Sequence, residues 1–179
     1  MEELVQLHDK KFKLFLSEQQ ISEKVKELAA QIDKDFAGEN PVFLCILNGS
    51  FIFAADLLRF IRFHTEMQFV KLSSYSGLES TGVIKEAHWD SEKLKGRRVI
   101  IIEDIIDTGE TLHYFVPRLK SLGVQDVSIV SFLVKRSSMK YDLKIDYFGY
   151  EISNEFVVGY GLDYDEMGRN LESIYQLAE

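Results

Sequence analysis

Residues 99–111 read Val-Ile-Ile-Ile-Glu-Asp-Ile-Ile-Asp-Thr-Gly-Glu-Thr, and they constrain the architecture more strongly than any other part of the chain. Four consecutive β-branched residues at 99–102 predict a strand that is covered on both faces, because a half-exposed strand would alternate apolar with polar side chains. A polar turn follows, and residues 112–122 have the pattern of a helix. This order of strand, turn and helix is the repeating unit of an α/β fold.

The same unit recurs on both sides of this stretch. Residues 42–47 form a second apolar run, which leads through a tight turn into a helical stretch at 51–62. Residues 127–134 form a third apolar run. Because unbroken apolar strands alternate with helices, we predict an α/β fold with a parallel central sheet flanked by helices.

The two ends of the chain add to this core. Ser17 and Gln20 begin a helix in the pattern of a capping box, and Gly38 supplies its end. The aromatic tail from 141 to 179 contains strand-like pieces. We expect it to cap the same domain, so that residues 1–179 form a single unit.

Composition narrows the possible functions. The chain has 179 residues, and its 21 basic against 29 acidic residues give a net charge of −8, which argues against a nucleic-acid or anionic-membrane binder. An anionic ligand must then be held by a few placed groups.

The acidic start Met1-Glu2-Glu3 is unlike a secretory signal, and no stretch approaches a membrane span, so the cytoplasm is the expected location. The single cysteine, Cys45, lies in an apolar run and is interpreted as a buried strand residue.

Acidic and hydroxyl side chains follow the apolar run at 99–102. Glu103, Asp104 and Asp107 come there, and ligands of open parallel sheets bind beyond the carboxyl ends of the strands. The turn from Asp107 to Thr111 runs into a helix, so its unpaired N–H groups, its hydroxyls and the helix dipole suit a phosphate group. Carboxylates beside a phosphate site indicate a sugar phosphate, whose hydroxyls would donate hydrogen bonds to them, or a Mg²⁺ ion. The alternative is that the acids have no ligand and only keep the strand end exposed to water, while Thr108 or Thr111 caps the helix.

These residues resemble a known family. Residues 99–111 resemble the thirteen-residue phosphoribosyl-pyrophosphate signature of type I phosphoribosyltransferases, which joins four apolar residues, two acids and an acid-hydroxyl-glycine turn. Three further motifs are similar to the hypoxanthine and hypoxanthine-guanine branch: Ser-Tyr at 74–75 ahead of Ser-Thr-Gly at 80–82, Leu-Val-Lys-Arg at 133–136, and Phe-Val-Val-Gly-Tyr-x-Leu-Asp-Tyr at 156–164. The resemblance runs from about residue 42 to residue 169. It implies the type I phosphoribosyltransferase fold, with a small hood formed by the terminal segments.

The resemblance also implies an enzyme of purine salvage. Its reaction transfers the phosphoribosyl group of phosphoribosyl pyrophosphate to N9 of a 6-oxopurine, hypoxanthine and guanine among them. The products are IMP or GMP and pyrophosphate, and the reaction requires Mg²⁺. Members of the family usually form homodimers or homotetramers, which we expect here as well.

The resemblance assigns roles to residues around the sugar phosphate. Asp107 matches the general base at purine N7, while Glu103 and Asp104 match positions that hold the ribose hydroxyls, directly or through Mg²⁺. Asn48 and Gly49 match the pyrophosphate loop, where the family has a cis peptide bond that aims a backbone N–H at the ligand. Many relatives have Lys at the position of Asn48, so only the backbone role is carried over. The 5′-phosphate would lie on the turn formed by Asp107, Thr108, Gly109, Glu110 and Thr111.

A second group of residues matches positions around the purine and the pyrophosphate. Lys135 would donate to purine O6, Phe156 would stack on the base, and the backbone of Val157 would contact its N1 and C2 edge. Asp163 corresponds to a second Mg²⁺ and purine-edge position, which makes Glu103, Asp104 and Asp163 the implied metal ligands. Arg169 corresponds to a pyrophosphate ligand.

The aperiodic stretch from about Leu72 to Ile84 matches a lid loop of the family. Ser74 and Tyr75 in this stretch would contact pyrophosphate. A closed lid excludes water, which would otherwise hydrolyse the activated sugar.

Two other functions use similar residues. The first is a regulatory protein of the same fold that senses phosphoribosyl pyrophosphate and binds nucleic acid, but the charge of −8 and the intact Asp107 argue against it. The second is a receiver-like signalling domain that accepts a phosphoryl group beside Mg²⁺. The phosphate-binding turn and the purine-side residues would be superfluous there.

Overall fold

The computed structural model describes residues 4–73, 85–87 and 90–178. Strands and helices alternate along most of this range, as the apolar runs predict. In chain order the elements are β1 (Leu4–Leu7), β2 (Lys10–Leu16), α1 (Glu18–Asp35), β3 (Val42–Leu47), α2 (Phe51–Phe60), β4 (Glu66–Ser73), β5 (Lys85–Ala87), β6 (Arg98–Ile106), α3 (Glu110–Ser121), β7 (Asp126–Val134), β8 (Tyr147–Glu151), β9 (Val157–Val158) and β10 (Ile174–Leu177).

The central sheet has the strand order β5-β4-β3-β6-β7-β8. All neighbouring strands from β4 to β8 are parallel, and only the edge strand β5 is antiparallel. The apolar run of β3 is buried on both faces, because Phe43 and Cys45 belong to one core while Val42, Leu44 and Ile46 belong to the other. The predicted parallel sheet with helices on both sides is therefore confirmed.

The helices cover the two faces of this sheet. α1 and α2 bury Val25, Phe53 and Leu57 in the first core, and α3 buries Phe115 in the second. The predicted capping box at Ser17 is present, since its hydroxyl accepts the N–H of the third helical residue and that residue's side chain reaches back. None of the helices within the described ranges is long and apolar enough to cross a membrane.

A second sheet of four strands, in the order β1-β2-β10-β9, draws on both ends of the chain. All its neighbouring strands are antiparallel, and Leu7, Phe12, Val158 and Tyr175 form its small buried cluster. This sheet is the hood that the resemblance implies. Its strand β9 carries Val157, so the hood is positioned to contribute to the predicted site.

The central strand β6 is longer than its apolar run suggests. It continues to Ile106, so Glu103 and Asp104 lie within the strand rather than beyond it, and only Asp107 follows its end. The reason is tertiary pairing: β6 stays in register with β7 up to Ile106, whereas its pairing with β3 stops at Ile102. The acids therefore occupy a strand end that pairs with β7 but not with β3.

Candidate active site

A cavity of about 130 Å³ lies at the carboxyl end of β6. Its walls come from the last residues of this strand, from the following turn and from the first turn of α3. The predicted 5′-phosphate turn and two of the predicted acids therefore share one concave surface. The lining residues are Glu103, Ile105, Ile106, Asp107, Thr108, Gly109, Glu110, Thr111 and Leu112.

The turn that leads into α3 depends on Gly109. This residue has φ of 76°, and a β-carbon on it would lie 2.8 Å from Cδ1 of Leu143, so both the backbone and the available space favour glycine. The backbone N–H of Glu110 donates to Oγ1 of Thr108 over 3.3 Å. Thr108 satisfies this one N–H, but the N-cap position itself is Gly109, which has no capping side chain. The start of this helix of 12 residues remains a suitable position for an anion.

Glu103 and Asp104 form a pair of acids in a protected environment. Glu103 is buried, and burial raises its pKa well above the usual range, with a further rise from the neighbouring charge of Asp104. Burial also raises the pKa of Asp104, although its Oδ1 accepts the N–H of Ile105 over 2.9 Å and the charge of Arg169 acts in the opposite direction. Groups that donate hydrogen bonds, or a cation, would stabilise the ionised form of this pair.

The predicted pyrophosphate loop lies directly against Asp104. The peptide bond between Leu47 and Asn48 is cis, as the resemblance implies for this loop. A β-carbon on Gly49 would lie 1.6 Å from Oδ2 of Asp104, so any larger residue would collide with the carboxylate. Gly161 closes the other side, because a β-carbon there would lie 2.0 Å from the carbonyl oxygen of Gly49. We did not predict Gly161, although the pair of glycines at 159 and 161 after an apolar strand is a signal that could have identified it.

Asp107 and Lys135 meet at the ends of two adjacent strands. Nζ of Lys135 lies 3.1 Å from Oδ2 of Asp107, and the Lys135 side chain is 8% exposed while that of Asp107 is 47% exposed. The backbone supports this arrangement, since the N–H of Lys135 donates to the carbonyl of Ile106 over 2.8 Å. The two residues predicted to contact the purine therefore lie side by side.

Arg169 connects the tail of the chain to this site. Its Nη2 lies 2.9 Å from Oδ1 of Asp163, and its Nη1 donates to the carbonyl of Gly161 over 2.9 Å. The structure therefore pairs two residues for which the resemblance implies separate ligands. The described residues contain no group of three or more His, Cys, Asp and Glu side chains placed to hold a metal ion. Glu103, Asp104 and Asp163, the implied metal ligands, are thus not gathered into one cluster.

Phe156 and Val157 lie at the edge of the hood. Val157 is buried, whereas Phe156 is 43% exposed. The ring centroids of Phe12 and Tyr164 lie 6.1 and 5.8 Å from that of Phe156. An exposed aromatic surface with aromatic support suits stacking against a planar ligand. We did not predict the supporting role of Phe12 and Tyr164.

The remaining predicted residues are those that the resemblance assigns to pyrophosphate. Asn48 is exposed, and its carbonyl accepts the N–H of Phe51 over 3.4 Å. Ser74 and Tyr75 lie outside the described residues. Of the predicted lid, Leu72 is part of β4.

Comparisons with known proteins identify the family of the chain. The family model of the phosphoribosyl transferase domain matches residues 14–165. The hypoxanthine-guanine phosphoribosyltransferase of Streptococcus thermophilus is 42% identical over 168 residues, which cover 93% of this chain and 93% of the relative. That of Streptococcus pneumoniae is 44% identical, with 93% of each chain covered. Among solved structures, a hypoxanthine-guanine phosphoribosyltransferase from Bacillus anthracis matches with a TM-score of 0.85 and 40% identity, covering 93% of this chain and 96% of that one.

Proposed function

The chain belongs to the phosphoribosyltransferase family, and from this premise we propose that it transfers the phosphoribosyl group of phosphoribosyl pyrophosphate to N9 of hypoxanthine or guanine. The products are the nucleoside 5′-monophosphate and pyrophosphate, so the protein is a pentosyltransferase of purine salvage. One observation carries the choice of substrate: Nζ of Lys135 lies 3.1 Å from Oδ2 of Asp107, which lines the cavity beside the phosphate turn. In a 6-oxopurine, N7 and O6 lie next to each other on one edge.

The two residues match that edge in chemistry as well as in spacing. The carboxylate of Asp107 accepts the proton from N7 as N9 attacks the sugar, and the ammonium of Lys135 donates to O6. An adenine would present an amino group to the same ammonium, and two donors without an acceptor cost about 1–3 kcal/mol. Phe156 stacks on the base, and the backbone of Val157 contacts its far edge. The exposed face of Phe156 supports this placement.

The phosphoribosyl group lies between the phosphate turn and the acids of β6. The backbone N–H groups of Thr108, Gly109, Glu110 and Thr111 and the dipole of α3 bind the 5′-phosphate. Glu103 and Asp104 accept hydrogen bonds from the ribose hydroxyls. As the bond to pyrophosphate breaks, positive charge develops on the sugar, and these carboxylates stabilise it from fixed positions.

The same acids fit a Mg²⁺ ion. Carboxylate oxygens are the donors that Mg²⁺ prefers, usually one or two of them together with substrate phosphates. The raised pKa of both Glu103 and Asp104 indicates a pair that a cation would stabilise. When bound, the ion neutralises charge on the departing pyrophosphate. Asp163 would be a further ligand of the ion if its ion pair with Arg169 were broken.

Pyrophosphate binds between the loops that surround the acids. The backbone of Asn48 and Gly49 donates to it on one side, and Arg169 supplies a positive charge close to Asp104. The resemblance assigns Ser74 and Tyr75 to the same ligand, and a lid that contains them would exclude water. Arg169 then exchanges its contact with Asp163 for phosphate oxygens, which accept guanidinium N–H groups as a carboxylate does.

Three broader features belong to the same proposal. Residues 1–179 form one phosphoribosyltransferase domain, which the hood supports because it combines strands from both ends of the chain. The protein works in the cytoplasm without nucleic-acid or membrane partners. It assembles into homodimers or homotetramers, an idea supported by the exposed aromatic side chains of Phe51, Phe60 and Phe69. Sedimentation of the purified protein tests the assembly.

Nucleotide formation is the direct test. The purified protein is incubated with phosphoribosyl pyrophosphate, Mg²⁺ and one of hypoxanthine, guanine, xanthine or adenine, and the product is separated by chromatography. We expect IMP and GMP and far less AMP. Binding of phosphoribosyl pyrophosphate without product from any base would contradict the enzyme and favour the sensing protein.

A further inference from the structure

A part-buried hydrogen bond joins the segment after β9 to the middle of α2. The hydroxyl of Tyr160 donates to Oδ2 of Asp56 over 2.9 Å, and Tyr160 is almost fully buried. Tyr160 also has φ of 52°, a left-handed conformation that a residue with a β-carbon adopts at a cost. Contacts elsewhere must therefore hold this residue in place, and the bond to Asp56 is one of them.

The next residue, Gly161, contacts the predicted pyrophosphate loop. It leaves so little space that a β-carbon there would lie 2.0 Å from the carbonyl oxygen of Gly49. The carbonyl of Gly161 accepts Nη1 of Arg169, and its N–H donates to the carbonyl of Arg169 over 3.0 Å. Gly161 thus connects Arg169 with the loop that carries Gly49.

Asp56 belongs to the helix that begins directly after this loop. Because α2 starts at Phe51, movements of the loop and of the helix are coupled through a short piece of chain. Two consecutive residues, Tyr160 and Gly161, hold this unit at two points: Asp56 in the helix and Gly49 in the loop. Such a double contact restricts how far Gly49 can move away from Asp104.

We propose that Tyr160 is a positioning residue for pyrophosphate binding: its hydrogen bond to Asp56 holds Gly161 against Gly49, and so places the loop beside Asp104. Tyr160 acts through these neighbours and does not touch the substrate. The inference rests on the proposed function of the Asn48 and Gly49 loop. Its consequence is selective, because a loosened loop weakens the binding of phosphoribosyl pyrophosphate and leaves the purine side, Asp107 and Lys135, in place.

The hydroxyl can be separated from the ring. The ring centroid of Tyr160 lies 5.2 Å from that of Phe132 in the core, so a phenylalanine keeps this packing and loses only the hydrogen bond. Burial and the charge of Asp56 raise the pKa of Tyr160, and the hydroxyl therefore remains a donor at neutral pH. After the change, Oδ1 of Asp56 still faces Nη1 of Arg59 at 3.9 Å.

Tyr147 provides a matched control. Its hydroxyl donates to Oδ2 of Asp35 over 2.8 Å, and it is buried to a similar degree. It pairs with Val130 in the sheet, well before the end of β7, which Lys135 follows. Tyr147→Phe therefore removes an equivalent bond that lies away from the loop.

The experiment compares wild-type protein with Tyr160→Phe and Tyr147→Phe. We measure KM for phosphoribosyl pyrophosphate and for hypoxanthine, and, independently of turnover, the Kd of phosphoribosyl pyrophosphate with Mg²⁺ by calorimetry. For Tyr160→Phe we expect KM and Kd of phosphoribosyl pyrophosphate to rise by about threefold to tenfold, the range of one net hydrogen bond, with KM for hypoxanthine unchanged. Tyr147→Phe should leave all three constants unchanged.

Results that contradict the role of Tyr160 differ from results that contradict the proposed function. Unchanged affinity for phosphoribosyl pyrophosphate in Tyr160→Phe, or equal effects in both variants, overturns the positioning role. If Tyr160→Phe does not fold, Asp56→Asn, which weakens the same bond from the other side, is measured with the same criteria. A wild-type protein that binds phosphoribosyl pyrophosphate without turnover would contradict the proposed function alone, because the calorimetric comparison still decides the role of Tyr160.

Discussion

The ammonium group of Lys135 lies 3.1 Å from Oδ2 of Asp107, with the lysine side chain far more buried than the aspartate. A buried cation needs a partner, and in the absence of a purine Asp107 provides it. In the proposed reaction, O6 would replace Asp107 as the acceptor for Lys135, and the carboxylate of Asp107 would then be available to N7. We therefore expect the two side chains to pair with each other before the purine binds and to contact the purine afterwards.

Asp107→Asn should lower turnover by about 10²–10⁴-fold, because the amide cannot accept the N7 proton. The affinity for phosphoribosyl pyrophosphate should change little, since the backbone of the phosphate turn is retained. Steady-state rates with hypoxanthine and calorimetric titration of phosphoribosyl pyrophosphate measure the two effects. Near-normal turnover would remove Asp107 from the role of base.

Lys135→Ala should reduce the preference for hypoxanthine over adenine by about tenfold or more, because the donor that selects O6 is lost. The measurement is the ratio of the two kcat/KM values. Lys144→Ala serves as the control, since the Lys144 side chain is 88% exposed. This substitution should leave the ratio unchanged. An unchanged ratio in Lys135→Ala would show that another group reads O6.

Gly49→Ala should greatly weaken phosphoribosyl pyrophosphate binding, because its β-carbon would lie 1.6 Å from Oδ2 of Asp104 and must displace either the loop or the carboxylate. Gly38→Ala is the matched control: it has open space around its β-carbon but a φ of 81°. The control should lower the melting temperature by a few degrees and leave KM for phosphoribosyl pyrophosphate unchanged. Equal kinetic effects in the two variants would contradict the close contact of Gly49 with Asp104.

Cys45 should be inert in the folded protein. Burial raises the pKa of its thiol to about 11, although a hydrogen bond with Ser50 opposes the rise. A thiol reagent at pH 8 should therefore label Cys45 only after denaturation. Rapid labelling of the native protein would show that this part of β3 is accessible.

The same thiol contributes to the pH dependence of stability. Its pKa is higher in the folded than in the unfolded chain, so its contribution is present below about pH 8.5 and is lost as the pH rises towards 11. The free energy of unfolding from urea titrations should fall less between pH 8 and pH 10.5 in Cys45→Ala than in the wild type. A fall of the same size in both proteins would rule out this contribution.

Local pattern was sufficient for most of the elements. The strand at 42–47 was predicted with the bounds that the structure has, because a strand buried on both faces is a continuous apolar run and is easily recognised. The start of α1 followed from the capping box at Ser17. Around residue 103 the same reasoning placed the end of a strand too early, since polar side chains interrupt the run although pairing with β7 continues.

The residues of the candidate site likewise fall into those that local sequence predicts and those whose contacts depend on the tertiary structure. Residues close together in the sequence, such as Asp107 to Thr111, could be assigned to one phosphate-binding turn, because a turn and a helix start are determined by neighbouring residues. The contacts of Gly49 with Asp104 and Gly161, the pair of Asp163 with Arg169, and the support of Phe156 by Phe12 were decided by the tertiary structure alone. Periodicity shows which face of an element is buried, but strand register and packing determine which distant residue lies against it.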